Sequence, residues 1–163
     1  MGASSWIYFV PYQPDINAAL QSLREKVFES GAYWLRVPIH LVPGEDGGWD
    51  LEAMRARVAE ERRKAGLPRS IEELLLRNED DGTHSILDIE SVSDTPDFGR
   101  AASLTREELL DLFDTDKPTH SLIEESLDRV RRSRLRRRWE GSYVIVYKGG
   151  EPDEIFFFGY SGD

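Results

Sequence analysis

"SYVIVYKGGEPDEIFFFGY", residues 142–160, decides the fold. Two runs of β-branched and aromatic residues, "SYVIVYK" and "EIFFFGY", flank the turn chemistry of "GGEPD", which is the pattern of a β-hairpin. Both runs are apolar at successive positions, so alternation leaves neither strand a face for water. At least one of them therefore belongs in the middle of a sheet covered on both sides.

Working outward, Trp6 to Val10 is a second β-branched and aromatic run and reads as a strand. Asp15 is placed to cap a helix in which Ile16, Leu20, Leu23 and Val27 recur at three- and four-residue steps, and Gly31 ends it. Residues 32–49 carry two prolines and three glycines and read as a long loop, with a short extended piece around Leu35 to Val37. Asp50 caps a helix to about Ala65, closed by Gly66 and Pro68, whose thin stripe of Leu51, Met54 and Val58 places it on the surface. Ser70 with Glu73 is a capping box before a short helix, Ile71 to Arg77.

"THSILDIESV", 83–92, alternates with period two and reads as a strand, and "SDTPDFGRAAS", 93–103, as a loop. Thr105 with Glu108 opens a helix to Phe113, and Ser121 with Glu124 opens a long one to about Arg138. The expectation is one α+β domain over residues 1–163. It has about four mainly antiparallel strands, the hairpin last, covered by four or five helices.

The composition narrows the function classes. There is no cysteine, which excludes disulfides, thiol nucleophiles and cysteine-based zinc sites and fits a reducing compartment. The N-terminal apolar run ends at Pro11 without a basic region before it, so it is no signal peptide, and no stretch is long enough for a membrane span. A cytoplasmic chain is expected.

The net charge of −10 is concentrated: residues 79–128 hold 15 acids and only three bases, Arg100, Arg106 and Lys117. That field repels nucleic acid and membrane surfaces and attracts a basic protein.

Thr-His-Ser occurs twice, at 83–85 and 119–121. The first copy begins the expected strand and the second precedes a helix, so the words do different jobs and form no repeat. On the expected strand, His84, Asp88 and Glu90 share one face, with Asp94 and Asp97 following. Imidazole and carboxylates so placed suit a divalent metal or proton transfer, although such a row is more often the wet face of an antiparallel sheet. His120 beside Glu124 is a weaker candidate, and His40, among apolar neighbours, reads as a loop or partly buried histidine. "GEDGG" lacks the lysine and helix of a phosphate loop, and no Gly-x-Ser-x-Gly elbow is present. No cofactor or metal is expected.

Seven of the ten residues from Arg129 to Arg138 are arginine, followed by Trp139. Such a helix either grips phosphate and carboxylate groups of a partner, or pairs within the fold with the seven acids of residues 79–99. Pairing at home is the stronger expectation. The leading functional expectation is a non-catalytic interaction protein that binds a basic protein through Glu79, Asp80, Asp81, Asp88, Glu90, Asp94 and Asp97, immunity or inhibitor action being its sharpest form. The logic is electrostatic: acidic patches match cationic active sites and speed their capture. The alternatives are a small metal-dependent or acid–base enzyme centred on His84, Asp88 and Glu90, and nucleic-acid or phosphate binding through Arg131, Arg134 and Arg138.

Overall fold

The hairpin forms as its composition requires. Strands β4 (Glu140–Lys148) and β5 (Glu151–Tyr160) pair antiparallel about Gly149 and Gly150. Both glycines have positive φ, 59° and 88°, the backbone that a two-residue turn matched to the strand twist demands. The turn is thus tighter than the five residues "GGEPD", and a bulge at Val146/Tyr147 absorbs the mismatch.

The computed structural model describes residues 4–36, 51–133 and 135–162. The expected extended piece up to Val37, His40, Asp50 as a cap, the "GEDGG" segment and Arg134 lie outside them. Strand β1 (Ser5–Pro11) pairs antiparallel with β5 on the side away from β4, with Ser5 opposite Tyr160. Two short strands, β2 (Ser91–Ser93) and β3 (Arg100–Ser103), complete a sheet of order β1-β5-β4-β3-β2. Both β2–β3 and β3–β4 are parallel. The sheet is therefore mixed and five-stranded, rather than four mainly antiparallel strands.

Among the described residues, six α-helices accompany it: α1 (Ile16–Ser30), α2 (Leu51–Ala65), α3 (Ile71–Arg77), α4 (Arg106–Phe113), α5 (His120–Glu125) and α6 (Leu127–Ser133). The expected start of α1 is seen directly, Asp15 Oδ1 accepting from Ala18 N–H at 2.9 Å, and Gly31 ends it at φ 69°. Thr105 and Glu108 form the expected reciprocal capping box of α4. At α3 only half the box is present: Ser70 accepts from Glu73 N–H, while the Glu73 carboxylate reaches Arg69 N–H.

Alternation sends the central strands into two cores. Trp6, Ile155 and Phe157 pack with Leu20, Leu23, Leu74, Ile86 and Ile89 on the α1 and α3 face. Phe156, Phe158, Val144 and Val146 pack with Leu112, Phe113, Ile123 and Val130 on the α4–α6 face. Both faces of β4 and β5 are thereby covered, as their unbroken apolar runs require.

Three local expectations are overturned, the first being the loop over 93–103, of which Arg100–Ser103 forms β3. Residues 83–92 are no strand: His84 sits in the left-handed region at φ 56°, Ile86–Asp88 is a 3₁₀ turn, and only Ser91 onward pairs. Ser85 drives this, its hydroxyl accepting from Leu87 N–H and offering the chain a tight turn instead of a ladder. The long arginine helix is also divided. Thr119, not Ser121, caps α5, which stops at Ser126, and α6 ends at Ser133 before most of the arginines. Among the described residues, no helix is long and apolar enough to cross a membrane.

Candidate interaction surface

Because β1, β3 and β4 begin at one end of the sheet and β5 ends there, that end gathers segments distant in sequence. Glu90 enters β2 there, and its N–H donates to Gly99 O at 2.7 Å, just ahead of β3. Trp139, just before β4, donates to Tyr160 O at 2.9 Å and accepts from Gly99 N–H at 2.8 Å. Trp139 thus ties the ends of three strands together.

Trp139 adopts φ 65°, a conformation that costs a bulky residue free energy and persists only where the surroundings fix it. They do. A Cβ at Gly162 would collide with the indole, and one at Gly82 would come 3.2 Å from its Cη2. Above the ring lies Phe98, centroids 5.5 Å apart and tilted by 33°, with 67% of its surface exposed. A rigid, partly shielded tryptophan carrying a solvent-facing phenylalanine has the make-up of an interface anchor.

Acids border this pair. Asp94 and Asp97 are exposed on the loop that holds Phe98, and Glu90 is exposed at its base. The turn of Glu79, Asp80 and Asp81 leads into Gly82 against the indole, with Glu79 and Asp80 exposed and Asp81 half-buried. Asn78 builds that turn: its Nδ2 donates to Trp34 O and Gly82 O, and its Oδ1 accepts from Arg36 N–H. Arg36 in turn contacts Asp80 at 2.5 Å and Asp81 at 3.6 Å. Six of the seven sequence-predicted partner-binding acids are thus accessible at or near one end of the sheet.

Asp88 is the exception. It is buried, accepting from Thr83 N–H and from Ser161 Oγ, each at 2.7 Å. Burial pushes its carboxyl above the ordinary range, against the pull of the Ser161 and Thr83 hydrogen bonds. Its role is to lock the 82–90 turn to the end of β5.

His84, Asp88 and Glu90 have three different settings. His84 stacks on Trp34 at 5.0 Å, Asp88 is buried beneath the turn, and Glu90 is exposed, its carbonyl taking a hydrogen bond from Gln21. Among the described residues, no group of three or more His, Cys, Asp or Glu side chains is arranged to hold a metal. His120 lies away from these three, 2.6 Å from Glu154 and, as expected, beside Glu124 at 3.4 Å, its ring tilted by 31° against Phe9.

Four of the seven arginines pair at home, with acids outside residues 79–99. Arg129 reaches Asp114, Arg131 and Arg132 flank Asp128, and Arg136 is buried against Glu108 at 2.8 Å. Arg137 and Arg138 are exposed next to Trp139, Arg138 donating to Gly162 O at 3.2 Å. Sequence reasoning missed Phe98, though one signal was available: the one phenyl ring of a 21-residue acidic stretch falls in its Asp- and Pro-bearing loop and needs a reason to be there. No protein-family model matches this chain, and neither a curated protein nor a solved structure matches it.

Proposed function

We propose that this chain is a non-catalytic binding protein that holds a basic protein through the surface centred on Phe98 and Trp139. The observation that carries the reading is an exposed phenylalanine on a conformationally locked tryptophan inside an acidic border. The aromatics supply desolvated contact area, and Glu79, Asp80, Asp81, Glu90, Asp94 and Asp97 supply steering and register. Asp88 supports the surface from beneath. The sharpest form is an immunity or inhibitor protein whose acids match the cationic active site of an enzyme.

The test is recovery of a basic protein at low salt, followed by affinity measurements with the purified pair. Phe98→Ala is expected to weaken binding by at least about 2 kcal/mol, the scale of an interface hot spot. Reversing the charge of Glu90, Asp94 and Asp97 together is expected to slow association and flatten its salt dependence. Equal affinity for both variants and the parent chain would remove this surface from consideration. Retention of duplex DNA that is lost on Arg131→Glu and Arg138→Glu would favour the arginine segment instead.

A further inference from the structure

The sheet has two edges, and the molecule treats them differently. At β2, α1 covers the edge: Asn17 Oδ1 accepts from Val92 N–H at 3.1 Å, and Gln21 Nε2 donates to Glu90 O at 2.8 Å. Edge groups satisfied in this way cannot recruit another strand. Among the described residues, nothing comparable is found at β1. Tyr12 N–H bonds to Asp153 O and Ser161 N–H bonds to Ser4 O, so the even-numbered residues of this segment face β5. Ser5, Ile7 and Phe9 therefore direct their N–H and C=O groups away from the sheet, and among the described residues nothing pairs with them.

Apart from a terminal proline, β1 itself also lacks the sequence devices that usually blunt an edge. "SWIYFVP" contains no charged residue, runs for seven residues and is regular along its pairing with β5. Its one proline, Pro11, lies at the far end, where it removes a donor and so limits which register another strand can take.

We infer that β1 is a self-association edge, on which a second copy of this chain adds its own β1 antiparallel to form a continuous ten-stranded sheet. The strand is complementary to itself in one register. With a two-fold axis at Ile7, Ile7 faces Ile7 of the second copy, and Ser5 faces Phe9. Every outward N–H of Ser5, Ile7 and Phe9 then meets an outward C=O, and Pro11 is left outside the paired stretch. Ile7 and Phe9 pack on the α4–α6 face, so the pairing extends an apolar surface already present. Each copy carries a net charge of −10, so this association tightens with added salt, whereas capture of a basic protein weakens. The two proposals therefore fail separately.

Light scattering from micromolar to near-millimolar concentration reads the mass, and the chain's lack of cysteine makes cross-linking specific. A dimer is expected, with Ile7→Pro raising its dissociation constant by at least about tenfold, since the central outward donors are lost. Ile7→Cys under oxidised glutathione is expected to give a disulfide-linked dimer, because facing residues lie about 5.5 Å apart. Ser5→Cys is expected not to, its Cα atoms being four residues out of register. The Ile7→Cys cross-link keeps the test decisive if the proline variant does not fold. A monomer throughout the range would overturn the inference, as would a dimer indifferent to both substitutions at Ile7 or a monomer that captures only an unrelated extended peptide.

Discussion

Asp88 shows how a buried carboxylate can be structural and still leave a measurable trace. Removing it as Asp88→Ala strands Thr83 N–H and the Ser161 hydroxyl, at an expected cost of about 2–4 kcal/mol. Asp88→Asn keeps an acceptor for Thr83 and offers an amide donor to Ser161, so its cost is expected to stay within about 1 kcal/mol. The pH dependence separates the two forms. Burial raises the folded-state pKa above the unfolded one, so the stability linked to Asp88 is complete below the unfolded value and is lost as pH rises through the raised value. Urea melts from acidic to neutral pH should therefore show the parent chain losing ground to Asp88→Asn as pH increases. Parallel curves would mean that the carboxyl titrates alike in both states. In the sequence this residue reads as a surface acid, because period-two alternation in "HSILDIES" imitates a strand whether or not the backbone turns at Ser85.

Elements were legible where local chemistry decides them and opaque where distant groups do. α1 and α4 begin at their caps, and the hairpin is set by Gly149 and Gly150, since each signal lies within a few residues of its effect. β3 escaped notice because "RAAS" has neither β-branched residues nor alternation; it is a strand only because β4 and β2 flank it. The candidate surface was half-legible: its acids stood out by charge, but the meeting of Phe98 with Trp139 depends on three strand ends converging. The clasp between α4 and the segment after α6 is equally non-local. Glu108 accepts from Thr105 N–H at 2.7 Å and from Arg136 Nη1 at 2.8 Å, and the Arg136 side chain is only 3% exposed. Burial acts to raise the Glu108 carboxyl, but hydrogen bonds from Arg136 and Thr105 outweigh it and hold the group below its ordinary value. Glu108→Ala should cost about 3–5 kcal/mol, because it leaves a guanidinium buried alone. The double variant with Arg136→Met should recover much of that loss, and denaturant melts of the two will show whether it does.

Across the whole molecule, two groups of acids within residues 79–128 take different tasks. Glu108, Asp114 and Asp128 meet arginines of the 129–136 segment, while Glu79, Asp80, Asp81, Glu90, Asp94 and Asp97 lie around Phe98 and Trp139, with Arg36, Arg137 and Arg138 as nearby cations. The net charge of −10 is therefore left largely uncompensated, and self-repulsion lowers stability when screening is weak. Raising sodium chloride from trace to moderate levels should raise the melting temperature, by roughly 2–4 °C for each kcal/mol relieved in a chain of this size. A fall would mean that attractive pairs outweigh repulsion.

The pairing of Ser5 with Tyr160 also sets a timetable. Strand β1 leaves the ribosome well before its neighbour in the sheet, β5. At about 5–20 residues per second, the intervening stretch of about 150 residues takes roughly 8–30 s to synthesise. For that interval, an uncharged aromatic strand waits with both of its edges open. The newborn chain thus depends on whatever keeps β1 solitary until β5 arrives.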